Sequence, residues 1–283
     1  MFGIRTLVRY KNKVISSQTM KPLAKTPATA PGDSYVQSFA RGLAVIRSFS
    51  AEAPDQTLTE VAERTGLTRA GARRILLTLQ ALSYVEQREK RFRLTPKILD
   101  LGFAYLSSLP LWNLAEPAMS RLVREVQESC SAAVLDGPDI VYVLRVPTQK
   151  IMSINLGIGS RLPAYCTSMG RVLLAGLPPA ELAQRLAHTE LRKLTRYTVT
   201  NARRLSKLIA SAREQQWCLV SEELEEGLVS LSVPILDRSG QCVAAMNVSS
   251  QLNRTPPDFM IERFLPKLKA AAAEISAMLR VKA

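Results

Sequence analysis

The 283-residue chain carries 38 Lys and Arg against 24 Asp and Glu, a formal net charge of +14, and 47% of its residues are hydrophobic. That apolar content supports a packed core and argues against general disorder, no apolar run reaches the ~20 residues a membrane span needs, and the basic excess favours a polyanionic partner. A single histidine (His188) and four cysteines (Cys130, Cys166, Cys218, Cys242) with no C-x-x-C pair exclude multi-histidine metal centres, zinc knuckles and thioredoxin-type sites.

Residues 1–32 contain Arg5, Arg9, Lys11, Lys13, Lys21 and Lys25 and no acidic residue. With the turn-prone Pro27–Gly32 stretch behind them, residues 1–33 read as a flexible basic arm. An extension preceding a second start at Met20, or a transit peptide, are the other readings. No signal peptide is recognisable, so the cysteines are expected as reduced thiols in a cytoplasmic protein. Residues 33–108 hold 11 basic and 8 acidic residues, and residues 109–283 hold 21 and 16. The charge is thus not concentrated in one folded part, and its placement matters more than its total.

Phe39, Leu43 and Ile46 recur at helical spacing and predict an amphipathic first helix buried on that face. A loop with Pro54 and Asp55 follows. Thr57-Leu-Thr-Glu60 is a capping box opening a second helix, and Gly66 sits where a left-handed C-terminal residue belongs. Thr68 caps a third helix running to about Leu82, with Ala72, Ile75, Leu76, Leu79 and Leu82 as its buried stripe. Two short helices around a tight turn read as helix-turn-helix. Arg69, Arg73, Arg74 and Thr78 lie off the apolar stripe and, with Thr68 at the helix start, are the candidate DNA contacts of this helix; arginine suits both phosphates and the guanine edge.

Tyr84-Val85 and Phe92–Leu94 flank a charged tip, Arg88-Glu-Lys-Arg91. That is a β-hairpin wing directly behind a recognition helix, with Arg88, Lys90 and Arg91 placed for backbone phosphates. Thr95-Pro96 then opens a linker helix over 96–108, lined by Ile98, Leu101, Tyr105 and Leu106. The first folded domain is a winged helix-turn-helix over 34–95.

From residue 109 the pattern is helix, strands, helices, strands, helix. Leu114, Met119, Leu122, Val123 and Val126 mark the first helix. Strand runs at 131–136 and 140–146 flank the turn Gly137-Pro-Asp139, and 151–156 extends the sheet. Helices are expected near 168–175, 179–188 and 201–216. Strands follow near 217–221, 228–236 and 241–249, and a long helix over about 257–281 closes the chain. Antiparallel hairpins with intervening helices give an α+β fold, an antiparallel sheet layered with helices.

Enzyme signatures are missing. Gly157-Ile-Gly159 lacks the later glycine and following helix of a dinucleotide fingerprint, and neither a Walker sequence nor a G-x-S-x-G occurs. Glu222, Glu223, Glu225 and Glu226 read as a solvated charge run, and His188 as a surface residue on a polar helix. No cofactor or metal is implied. A ligand pocket is easier to support. Pro163–Gly170 runs into a helix that Thr167 or Ser168 can cap, leaving N–H groups near Met169 and Gly170 for a carboxylate. Tyr165 adds an aromatic wall and a hydroxyl. Ser230, Asn247 and Ser249 are polar positions in apolar strands, and alternation puts Asn247 and Ser249 on one face.

Tyr35–Ser108 together with the segment after it resembles the IclR family of bacterial transcriptional regulators, most narrowly at Arg41–Ile46, Leu99–Ser108, Leu162–Arg171 and Ala244–Ser249. Within it these stretches resemble the branch controlling protocatechuate, 4-hydroxybenzoate and β-ketoadipate catabolism. The resemblance implies a GAF-like effector domain over 109–283, homodimers or dimers of dimers, double-stranded promoter DNA as partner, and a small carboxylate effector of those three classes. It implies effector contacts at Ser168, Met169, Leu228, Ser230, Asn247 and Ser249. Gln216 stands where the branch usually has Gly, and Val229 where Arg, able to pair with an acid, is common. The rival reading from another class is an enzyme on a small carboxylic acid with the basic helix a solvated face. A third is an architectural DNA-binding protein without effector.

Overall fold

In the computed structural model, which describes residues 35–108, 111–148 and 156–281, the chain divides into two units between Phe103 and Ala104. The basic arm and most of the strand expected at 151–156 lie outside the described residues. No helix among the described residues is long and apolar enough to cross a membrane.

The first unit opens with helix α1 (Gln37–Ser48), strand β1 (Asp55–Thr57), α2 (Leu58–Thr65) and α3 (Arg69–Ala81). The hairpin β2 (Val85–Arg88) and β3 (Arg91–Leu94) follows, then a 3-10 turn over Pro96–Ile98 and α4 (Leu99–Ser108), within which the division between the units falls. The local signals act as read. Thr57 and Glu60 form the reciprocal capping box, with Thr57 N–H donating to Glu60 Oε2 at 2.6 Å. Gly66 sits at φ +66° and ends α2, and Thr68 Oγ accepts the Gly71 N–H at 3.1 Å to start α3. The wing gains a third strand: Asp55–Thr57, expected as loop, pairs antiparallel with β3 in the order β1-β3-β2.

Three packing expectations fail here. Phe39 and Leu43 are exposed, Phe39 at 68%, and α1 instead buries Val45 against Val61, Ala62, Ala72, Leu76 and Leu79. Helical spacing marked an apolar face but not which edge of it meets the core. Leu82 is the C-cap residue of α3, beyond its last helical turn, and is exposed. Leu101 and Tyr105 are likewise exposed along α4.

The second unit is a six-stranded antiparallel sheet in the order β6-β5-β4-β9-β8-β7. Its strands are β4 (Ser129–Asp136), β5 (Asp139–Val146), β6 (Arg161–Pro163), β7 (Cys218–Ser221), β8 (Leu228–Leu236) and β9 (Cys242–Gln251). On one face pack α5 (Leu111–Val126) and the C-terminal helix, with Val229, Leu231, Val233, Met246 and Val248 in that core. On the other pack α6 (Ser168–Ala175) and α8 (Ala202–Gln215), over Ala133, Tyr142 and Ala245. Helix α7 (Pro179–Ala187) lies between them in sequence. The closing helix is interrupted: α9 (Pro257–Phe259) runs through a π-helical segment, Met260–Phe264, into α10 (Leu265–Val281). All four cysteines are free thiols.

Gln216, the non-glycine departure, ends α8 at φ +59°. A side chain in this left-handed region costs roughly 1 kcal/mol that glycine avoids, and the exposed bond from Gln216 Nε2 to the Arg213 carbonyl only partly offsets it. Gln216→Gly is expected to stabilise the chain by about 0.5–1 kcal/mol, read as a rise of roughly 1–3 °C in Tm.

Candidate functional site

The first candidate surface is the outer side of α3. Ala72, Leu76 and Leu79 turn into the core, so helical geometry presents Arg69, Arg73, Arg74 and Thr78 to solvent. None of the three arginines has a carboxylate partner among the described residues, and the first turn of α3 holds no acid. Thr68 is occupied as cap. Thr78 Oγ donates back to the Arg74 carbonyl at 2.9 Å, leaving its oxygen outward only as an acceptor.

The wing's cations are not equivalent. Its tip is Glu89-Lys90, with Glu89 at φ +55°. Lys90 is exposed, and Arg88 pairs loosely with Glu86 at 3.4 Å. Arg91, expected at the tip, instead reaches across the sheet to the Asp55 carbonyl at 3.0 Å and Glu60 at 3.4 Å. The Glu60 carboxyl lies below the usual range, chiefly because it accepts the Thr57 N–H, with Arg91 and Arg64 adding to the effect. Arg91 therefore braces the wing against the start of α2.

The second site lies on the α6 side of the large sheet. Alternation along β8 and β9 sends Ser230, Ser232, Asn247 and Ser249 to that face, while Val229, Leu231, Met246 and Val248 fill the opposite core. Ser230 pairs with Ser249 and Ser232 with Asn247 across the two strands. Val229 is therefore on the wrong face to touch the site, and the arginine common there in the branch would not line it either.

Above this polar patch sits the start of α6. Thr167, not Ser168, is its cap: Thr167 Oγ accepts the Gly170 N–H at 3.3 Å. Ser168 is thereby free to bond Ser230, Oγ to Oγ, at 2.9 Å. Asn247 Nδ2 donates to Ser230 Oγ at 2.8 Å and to Ser249 Oγ at 2.9 Å, and Ser249 Oγ donates to Ser230 Oγ at 2.9 Å. The proton order follows from counting lone pairs. Ser230 Oγ accepts twice, so its own proton goes to Ser168, and the Ser168 hydroxyl proton is what the chain has left to give. The first amides of α6, at Ser168 and Met169, are those a helix leaves without an intrahelical acceptor. The site thus converges donors at a positive helix end. Asn247 is 4% exposed and its Oδ1 has no donor, a cost of about 1–3 kcal/mol when left unmet. Met169 is buried and Leu228 half-buried at the edge.

Tyr165 corrects one expectation. It is buried at the foot of α6, but its hydroxyl donates to the Arg192 carbonyl at 2.7 Å and offers no free donor to a ligand. Burial pushes the Tyr165 hydroxyl and the adjacent Cys166 thiol each up to about 12, so both stay protonated.

Three residues escaped sequence reading. Arg171 is 2% exposed; its Nε donates to the Tyr165 carbonyl at 3.0 Å and its other nitrogen meets Glu223 at 2.6 Å. Glu223 is thus no solvated charge: the same oxygen accepts the Val199 N–H at 2.9 Å. The third is Gly170, whose missing side chain lets α6 lie against the Ala164 backbone. The signal for Arg171 was present, a lone charge in an otherwise uncharged helical octet (Ser168–Ala175) that demands a partner.

The model described as IclR helix-turn-helix domain matches residues 38–89, and that described as bacterial transcriptional regulator IclR C-terminal matches residues 103–277. The Pca regulon regulatory protein of Pseudomonas putida is 40% identical over 92% of this chain and 91% of its own. A solved structure from Rhodococcus sp. RHA1 superposes with TM-score 0.81 at 47% identity, covering 87% of this chain and 99% of that one. The inducer-binding domain of the PobR transcription factor from Acinetobacter, a double mutant in complex with 3-hydroxybenzoic acid, superposes with TM-score 0.56 at 31% identity. It covers 59% of this chain and 97% of that one.

Proposed function

The chain belongs to the IclR family of bacterial transcriptional regulators, and from that premise we propose that it controls genes of aromatic acid catabolism in response to a small carboxylate. Arg69, Arg73 and Arg74 enter the major groove, Arg88 and Lys90 meet backbone phosphate, and Arg91 holds the wing in place. A homodimer, or a pair of dimers, presents two such helices to an operator with dyad or repeat character. The effector's carboxylate sits on the Ser168 hydroxyl and the first amides of α6, between Met169 and Leu228. Effector binding changes operator affinity by a coupling of about 1–3 kcal/mol.

The observation that carries this reading is the donor chain from Asn247 through Ser249 and Ser230 to Ser168, ending at a helix N-terminus. An enzyme would need a group that moves protons or attacks; this site only holds them in order. The unmet Asn247 Oδ1 favours a carboxylate that also bears a hydroxyl, protocatechuate or 4-hydroxybenzoate, over β-ketoadipate. The PobR domain's complex with a hydroxybenzoic acid supports that class.

Gel shifts of the promoter fragment, with and without the three acids, test it. Arg73→Ala should weaken operator binding roughly ten- to hundredfold at equal salt, leaving the thermal shift with effector intact. Ser168→Ala should keep operator affinity and lose the response to acid. Wild-type affinity in the first variant refutes the recognition helix; an undiminished acid response in the second refutes the pocket.

A further inference from the structure

The effector unit carries a basic segment that neither site uses. Arg192, Lys193, Arg196, Arg203, Arg204 and Lys207 fall within sixteen residues, and no carboxylate lies between Glu190 and Glu214. These six charges exceed the whole net excess of residues 109–283, where 21 basic residues face 16 acidic ones. Elsewhere in the unit, cations are commonly tied to acids: Arg121 to Glu274, Arg161 to Asp136 and Asp139, Arg185 to Glu181, Arg254 to Glu128 and Lys267 to Glu125. Here Arg192 pairs with Glu190 and Arg196 with Glu226, whereas Lys193, Arg203, Arg204 and Lys207 are exposed with no acidic partner among the described residues.

The position of these charges is costly. Arg203 and Arg204 occupy the first turn of α8, which holds no acid. Cations at a helix N-terminus oppose the macrodipole, the reverse of the usual arrangement. Leu205, Ile209 and Ala212 bury the inner side of α8, so Arg203 and Lys207, four apart, share its outer side with Arg204 beside them. A local rule broken without internal compensation marks a surface that meets something outside the chain. Long exposed cations in a segment whose one aromatic, Tyr197, is itself exposed under Arg196 fit a phosphate backbone rather than a protein, whose interfaces need a buried apolar anchor.

We infer that the Lys193–Lys207 face of the effector unit is a second DNA-contacting surface, holding backbone phosphates of DNA that flanks the operator. It is also joined to the effector site. The Arg192 carbonyl accepts the Tyr165 hydroxyl, Thr195 Oγ donates to the Glu222 carbonyl at 2.7 Å, and Thr198 Oγ donates to the Glu223 carbonyl at 2.7 Å. Flank contact and effector occupancy therefore bear on the same segment.

This inference rests on the reading of the first unit as the operator-binding part, and the experiment separates the two. The full-length triple variant Arg203→Gln, Arg204→Gln, Lys207→Gln is compared with wild type on a long promoter fragment and on one trimmed to the operator, across a salt series. On the long fragment, affinity should fall roughly ten- to hundredfold and the salt slope by about 2–3. On the trimmed fragment both proteins should bind alike, with an unlowered Tm showing the fold intact. Equal affinity and slope on the long fragment overturn the second surface. Equal DNA binding with lost promoter output also overturns it, pointing to an acidic protein partner. Loss on the trimmed fragment alone shows that these residues serve the operator itself and overturns the flank assignment. Failure of wild type to bind either fragment refutes the reading of the first unit.

Discussion

Replacing Glu223 by alanine should cost about 3–5 kcal/mol, because Arg171 is then left charged and unpaired in the interior. Calorimetry should read this as a fall in Tm on the order of 10 °C. The loss extends beyond the pair. Glu223 also accepts the Val199 N–H, and Arg171 holds the Tyr165 carbonyl, so one carboxylate joins α6, the segment before α8 and the turn before β8. Effector affinity should fall with stability, since Ser168 sits on α6 and Ser230 on β8, the strand that this turn leads into. The double variant Arg171→Met, Glu223→Leu separates charge from shape. Removing both partners of a buried pair is often neutral or better, so most of the lost stability should return. A double variant as unstable as Glu223→Ala would show that the pair's hydrogen bonds to backbone, not its unpaired charge, dominate.

The residues that announced themselves in sequence are those acting through local rules. Thr57 with Glu60, Gly66 and Thr68 set helix ends through neighbours within a few positions, and each does so as read. Ser230, Asn247 and Ser249 were legible because strand alternation places polar residues on one face whatever the rest of the fold does. What could not be read depends on partners far along the chain. Glu223 looked like surface because its four-carboxylate run is polar, yet its partner is 52 positions away. Arg91 looked like a free wing charge, and its carboxylate is 31 positions back. Position 229 drew attention because the branch commonly has Arg there, but it adjoins Ser230, and in a strand adjacency means the opposite face. Phe39 and Leu43 failed for another reason: helical period defines a stripe, and only tertiary packing selects which part of it is covered.

Gly170→Ala is expected to be the most damaging single methyl in the molecule. Alanine inside a helix normally improves on glycine by up to ~1 kcal/mol, and Gly102 in α4, with open space around its would-be Cβ, should behave so. At Gly170 the sign reverses. The added carbon would lie 2.6 Å from the Ala164 carbonyl carbon, and nearer still to its oxygen and Cα. These are backbone atoms of the 3-10 turn Ala164–Cys166, held by the Ala164 N–H bond to the Pro138 carbonyl and by Thr167 Oγ bonding back to the Pro163 carbonyl. The turn cannot yield by a rotamer change, so α6 must lift from it. Overpacking of this kind costs ~3 kcal/mol or more. The shift is delivered where the site needs sub-ångström placement: Ser168 leaves Ser230, the proton order collapses, and the helix amides no longer converge with Asn247. Thermal unfolding and effector titration should fall together in Gly170→Ala, while Gly102→Ala keeps effector binding and does not lower Tm. Equal effector affinity in Gly170→Ala and wild type would show that α6 and the 164–166 turn need not touch for the pocket to form.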